Sequence, residues 1–189
     1  MNEQLEILDK ALADLRVNYA ENAWHLFLWG GLILAGCALN YLLIAVFERG
    51  DLISRGWMVL IGTGAAIEIV HGVRSRPSGR SASYIEKSIG LIWGLLGVSM
   101  LAIAFVAPAT GLLTYLAIIP LLMIQIWIGT LFTGLMIRFR PLAVLSNVWL
   151  LSAAIILFVP NANQLLLMAA CILVGYLLPA FLLRAEGKH

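Results

Sequence analysis

One acidic side chain stands inside an otherwise uncharged apolar run: Glu68, followed three positions later by His71. Residues at i and i+3 share a helix face, so a carboxylate and an imidazole would sit together there. An ionisable group at the centre of a membrane helix costs about 2.5–3.5 kcal/mol on insertion scales, which makes it a functional candidate by default. Glu68 precedes Arg74 by six residues, about 9 Å at 1.5 Å per residue. Trp29, Trp93, Thr133 and Asn147 fall at a similar depth on other segments, and Tyr176 slightly deeper. Two arrangements follow. These residues could line one inward-facing polar pocket, with Glu68 as a proton or cation site and His71 as its relay. Alternatively, Glu68 lies near the interface, where its cost is smaller, and pairs with His71 or with Arg74 and Arg138. The spacing Glu-x-x-His also occurs in carboxylate-bridged metal bundles, but those need it twice with two further carboxylates. One copy stands here, so neither a metal nor another cofactor is expected.

Composition says in what medium these residues must be held. The chain has 189 residues, 62% hydrophobic and 12% charged, against roughly half and a quarter in a soluble globular protein. Too little polar surface remains to coat a water-soluble body, which excludes a soluble enzyme, a nucleic-acid reader and a disordered tail. Of 12 basic and 10 acidic residues, Glu68 alone lies inside six long apolar stretches, about 24–47, 57–73, 89–106, 112–137, 142–159 and 164–183. Each is near the ~20 residues a helix needs to cross a ~30 Å hydrocarbon core. Their continuous apolar character excludes the alternation of barrel strands. The expected fold is all-α: a polytopic membrane bundle of six transmembrane helices over 24–184, between a short amphipathic cytoplasmic helix at 1–23 and a tail at 185–189.

Lys and Arg in short loops mark the cytoplasmic side. Arg49 and Arg55 fall on one side, and the other ten of the 12 basic residues on the opposite one, so both termini are expected in the cytoplasm. The first 23 residues have neither an apolar core nor a small-residue cleavage site, so no signal peptide is expected there. Within them Leu5, Leu8, Leu12, Leu15 and Tyr19 recur at helical spacing. Three uses of that stripe stay open: an interfacial membrane helix, a two-heptad coiled coil, or docking on a cytoplasmic surface of this chain or a partner. The acids Glu3, Glu6, Asp9, Asp14 and Glu21 disfavour the first, since anionic lipid attracts basic helices. Docking, for instance against the basic loop 74–87, fits best.

A shift of 64 residues superposes Trp29-Gly30 on Trp93-Gly94, and Arg74-Ser75-Arg76-Pro77 on Arg138-Phe139-Arg140-Pro141. Trp149 offers a third mark. Three helical hairpins as parallel repeats would produce this; so would ordinary interfacial anchoring by tryptophan and arginine. Gly90, Gly94 and Gly97, with Thr130 and Gly134 on the next span, form close-packing faces that could meet within the monomer or between monomers, the former being the leading expectation. Asn40 and Gln125 are expected to supply interhelical hydrogen bonds, worth about 0.6 kcal/mol on average. Pro120 and Pro179 each free a backbone carbonyl. Cys37 and Cys171 lie inside spans and are expected to be small buried residues.

The set Leu28-Trp29-Gly30, Gly72 before basic residues, Tyr84-Ile85, Gly129-Thr130, Gly134, Arg138-Phe139-Arg140-Pro141-Leu142, Tyr176 and Pro179 resembles a family of small six-helix bacterial membrane proteins without assigned function. The resemblance spans about 15–184. It implies the six-helix fold, a bacterial inner membrane and a gene often beside a small helix-turn-helix regulator. It carries over no catalytic or binding residue. Members of that family have small or aromatic residues where this chain has Glu68 and His71.

Enzyme readings lack parts. No Gly-x-Ser-x-Gly elbow, His-Glu-x-x-His, P-loop or intramembrane aspartate pair occurs, and the 3 histidines are His25, His71 and the terminal His189. The leading expectation is a non-catalytic regulatory or assembly partner acting through its cytoplasmic face. The alternative is a small-molecule or ion transporter or channel using the layer around Glu68. Besides the lipid bilayer, the partners implied are a cytoplasmic or membrane protein or a second copy of this chain; nucleic acid is not expected.

Overall fold

The structure is a computed structural model that describes residues 23–74, 84–159 and 161–186. The stripe of Leu5, Leu8, Leu12, Leu15 and Tyr19, and most of the basic loop 74–87, lie outside the described residues. Among those described, six helices are long and apolar enough to cross a membrane. The chain is therefore a multi-pass, all-α membrane protein. Lipid offers backbone groups no partners, so each apolar run must close its own hydrogen bonds as a helix.

The helices are α1 (Trp24–Ala45), α2 (Gly50–Arg74), α3 (Tyr84–Ala109), α4 (Tyr115–Met136), α5 (Arg140–Phe158) and α6. The last comprises Asn161–Ile172, a π-helical turn Leu173–Leu177, and Leu178–Glu186. Helix α2 begins ahead of its apolar stretch, and its first turn is a tighter 3-10 turn, Gly50–Leu52. Just before it Arg49 forks onto the Asp51 carboxylate, with bonds of 2.9 and 3.0 Å. With 25 residues α2 is about 37 Å long at 1.5 Å per residue, long enough for a full crossing.

Proline shapes two helices. Helix α3 has a π-helical turn at Ala102–Val106, two residues ahead of Pro108, and that of α6 ends two residues ahead of Pro179. A proline ring clashes with the carbonyl four residues back and gives it no N–H. Widening the preceding turn by one residue relieves the clash.

Between α4 and α5 the chain reverses in three residues. Arg138 takes φ 50°, the N–H of Phe139 reaches the Gly134 carbonyl at 2.8 Å, and the N–H of Arg138 reaches that of Leu135 at 3.2 Å. This is a Schellman stop, and it buries Ile137 and Phe139 on either side of an exposed arginine. Gly111, at φ 74°, closes α3 by the same pair of bonds, to Ala107 and Pro108. The helical hydrogen bonding of α5 is interrupted at Ser146, whose hydroxyl donates to the Ala143 carbonyl at 2.8 Å. Its far end is capped from outside: the Gln164 side-chain amide donates to the carbonyls of Ile156 (3.3 Å) and Val159 (3.2 Å). Gln164→Leu leaves both carbonyls without that donor, and an expected loss of about 1–3 kcal/mol is checked by unfolding in detergent micelles against wild type.

The helices pack side by side in the order α2–α1–α6–α5–α4–α3. The chain thus forms three hairpins, α1–α2, α3–α4 and α5–α6, and the third lies between the other two. The most buried large side chains, Trp149, Phe139, Met123, Ile156, Ile172 and Leu183, belong to α4, α5, α6 and the turn joining α4 to α5. At the two edges, α2 and α3 bury little beyond Gly64 and Ile89. This corrects the expected role of the glycines on α3. A Cβ added at Gly90, Gly94 or Gly97 would meet nothing within 4 Å. The reason is rotational: α3 meets α4 through Ile89, Trp93 and Leu96, so the three glycines turn away from it. Gly134 does pack within the chain, against the Ala143 backbone of α5. Thr130 is buried on α4 and spends its hydroxyl on the carbonyls of Ile126 and Trp127.

Candidate functional site

The polar residues expected at one depth resolve into pairs, each across a contact between two helices. On the first hairpin the Trp29 indole N–H donates to Glu68 Oε2 at 3.1 Å. One turn away, a Cβ on Gly64 would lie 3.1 Å from that indole and 2.6 Å from Leu32. Glycine at 64 is thus what lets the Trp29 indole approach α2 so closely. His71 shares the face of Glu68, as its spacing requires, and its ring meets that of Trp24 at 3.9 Å between centroids.

The second hairpin repeats this device. Trp93 on α3 lies over Gly129 of α4, where a Cβ would come within 2.8 Å of the indole. Its N–H donates to the Thr133 hydroxyl at 3.0 Å, and Thr133 in turn donates to the Gly129 carbonyl at 2.7 Å. In the third hairpin Trp149 on α5 lies over Gly175 of α6, where a Cβ would sit 2.7 Å from the indole nitrogen. That nitrogen donates to the Gly175 carbonyl at 3.3 Å. In an α-helix this carbonyl would bond the N–H four residues on, which Pro179 lacks. In all three hairpins, then, a tryptophan of the first helix lies on a glycine of the second and donates to that helix. The match of Trp29 with Trp93 read from the sequence, and the mark at Trp149, coincide with a repeated packing motif.

Asn147 is placed apart from this motif. It accepts from the Trp127 indole at 3.3 Å, and its amide donates to the carbonyls of Ala143 and Val144 at 3.2 and 3.1 Å. Tyr176 is buried in the π-helical turn of α6, its ring against Gly30 of α1. Glu68 and Trp29 therefore come together, as do Trp93 and Thr133, while His71 meets Trp24 on the same face as Glu68 and Asn147 and Tyr176 stand at other helix contacts. The amide oxygens of Asn40 and Gln125 are buried without a hydrogen-bond partner among the described residues, in place of the interhelical bonds expected of them. A groove of about 350 Å³ opens beside α1 and α2 near their connection, lined by Leu39, Leu43, Leu52, Arg55, Gly56, Val59 and Leu60. Its apolar lining carries no sequence mark, because leucines face lipid and groove alike.

The chemistry these pairs support is mutual fixation of helices. A donor and an acceptor held together inside a bilayer contribute about 0.6 kcal/mol on average and up to about 1.7. Glu68→Gln keeps an acceptor oxygen for Trp29 and is expected to unfold within about 0.5 kcal/mol of wild type. Trp29→Phe removes the donor and is expected to cost about 0.6–1.7 kcal/mol. Parallel unfolding curves of both variants in micelles check this; a more damaging Glu68→Gln would show that the carboxylate charge itself is used. Set against family models, curated proteins and solved structures, the chain matches none.

Proposed function

We propose that this chain is a non-catalytic inner-membrane protein of a bacterium that serves as a regulatory or assembly partner through its cytoplasmic face, with both termini on that side. The observation supporting this reading is the engagement of three intramembrane polar side chains, each bonded by a tryptophan: Glu68 by Trp29, Thr133 by Trp93, and Asn147 by Trp127. Chemistry spent on joining helices leaves the cytoplasmic surface, with its basic loops and the stripe from Leu5 to Tyr19, as the place to meet another molecule. Membership in the family of small six-helix membrane proteins belongs to the same proposal.

A second reading, a small transporter or channel, draws on the two proline-linked π-helical turns in α3 and α6. Such turns recur at functional sites. In that reading Glu68 and His71 form the transported ion's stop.

Native mass spectrometry of the protein extracted gently from its own membrane separates the two. A distinct protein should co-purify with wild type and with Glu68→Gln plus His71→Ala, and be lost with Leu8→Asp plus Leu12→Asp. A bound small molecule that disappears on Glu68→Gln, with no protein partner, would move the assignment to transport.

A further inference from the structure

The packing order has an internal rule. Each hairpin has an odd-numbered helix at one side and an even-numbered helix at the other. Where two hairpins meet, an odd helix lies on an even one: α1 on α6, and α5 on α4. The same rule would place α3 on α2, the third contact of a cyclic set. In the structure these two are the edges instead. They pack on α4 and α1 respectively and form no extended contact with each other.

The unmade contact has a template in one of the made ones. Where α1 meets α6, Gly30 receives Leu177, to which a Cβ would come within 2.5 Å, and Phe27 meets Phe181 edge-on at 4.8 Å. Shifted by 64 residues, Gly30 becomes Gly94 and Phe27 becomes Leu91. Gly94 has nothing within 4 Å, and Leu91 is 64% exposed. On the other edge, Gly64 stands under Trp29 as Gly175 stands under Trp149. Counting on from those glycines, Leu177 corresponds to Ala66 and Phe181 to Val70. Both are exposed, Val70 by 48%, on the side of α2 away from α1. The two faces thus carry the small and apolar residues with which helices approach closely in lipid, where shape rather than hydrophobicity drives association.

We propose that α3 of one copy packs on α2 of a second copy, Gly94 against Ala66 and Leu91 against Val70. The contact continues the odd-on-even rule that already joins the hairpins within the chain. Two copies joined this way at both edges leave neither α2 nor α3 uncovered.

Two differently tagged copies expressed together, one with Gly94→Cys and the other with Ala66→Cys, test this on oxidation in the membrane. A disulfide needs Cα atoms within about 7 Å, and both positions have room for a side chain. The expected product carries both tags at the mass of two chains; the unsubstituted protein, which keeps Cys37 and Cys171, gives the blank. Gly94→Leu is expected to lower the two-chain species about tenfold or more in native mass spectra. Gly31→Leu, on an open face of α1, leaves it unchanged. Absence of the doubly tagged product overturns the proposal. So does a chain bearing both cysteines that joins only to itself, which would mean that α3 closes onto its own α2. A two-chain species undiminished by Gly94→Leu would show that the copies meet elsewhere.

Discussion

Gly134→Val is expected to drive α4 and α5 apart and to cost about 3 kcal/mol or more, at or beyond the upper end of the usual range for overpacking. Even Gly134→Ala places its Cβ 2.6 Å from the Ala143 nitrogen and 3.0 Å from its Cα. What stands in the way is backbone, which cannot turn aside as a side chain can. The two helices are also fixed by a three-residue Schellman turn whose shorter bond, 2.8 Å from the Phe139 N–H, ends on the Gly134 carbonyl itself. Moving Gly134 therefore strains the cap as well as the contact. Gly64→Ala meets the ends of Leu32 and Trp29 instead, and Leu32 can change rotamer. Gly31→Ala meets nothing and gains up to about 1 kcal/mol of helix propensity. Thermal unfolding in micelles should rank the alanine variants with Gly134 most damaging, Gly64 between, and Gly31 neutral or stabilising. Equal stability of the Gly134 and Gly31 variants would refute the account of the α4–α5 contact.

Trp149→Ala is the second large effect expected. The side chain is 1% exposed, and losing a buried tryptophan costs about 3–5 kcal/mol in soluble cores. Lipid is as apolar as a protein interior, so the transfer part shrinks and the cavity part remains, which points to the lower end. Trp149→Phe is more informative, because it keeps much of the volume and deletes the N–H that serves the Gly175 carbonyl. It is expected to cost about 1–3 kcal/mol. Pro179→Ala supplies residue 179 with an N–H of its own, the donor that α-helical spacing would set against that carbonyl. In that background Trp149→Phe should cost less, with a coupling of about 0.5–3 kcal/mol in a double-mutant cycle. Strictly additive costs would mean that proline and tryptophan do not share the carbonyl.

The sequence disclosed the spans because the relevant signal, apolar continuity over a bilayer's thickness, is local. Its errors were at the ends. The stretch 57–73 missed the first turns of α2 because Arg55 and Asp51 interrupt the apolar run, although a helix end at a membrane surface tolerates charge. The face shared by Glu68 and His71 was legible from spacing alone, and so was the equivalence of Trp29 with Trp93. Their partners were not, because Glu68 lies 39 residues from Trp29 and Thr133 lies 40 from Trp93. A common depth, which is all that counting along helices provides, does not say which helices are neighbours. Asn147 and Trp93 share a depth, yet α5 lies on the far side of α4 from α3. Gly94 failed for a related reason. Small residues mark a face fit for close approach without saying whether the approaching helix belongs to the same chain.

The insertion of the third hairpin between the first two also orders events in time. A ribosome delivers α1 and α2 first and α3 and α4 next, but these two hairpins share no extended surface. Until α5 and α6 arrive, Gly30 lacks Leu177 and Gly134 lacks Ala143, so the earlier hairpins have none of the close contacts that later join them to the third. The last hairpin to be made is the keystone. A chain stopped before it is not a smaller version of this protein but two hairpins that, among the described residues, share no extended seam.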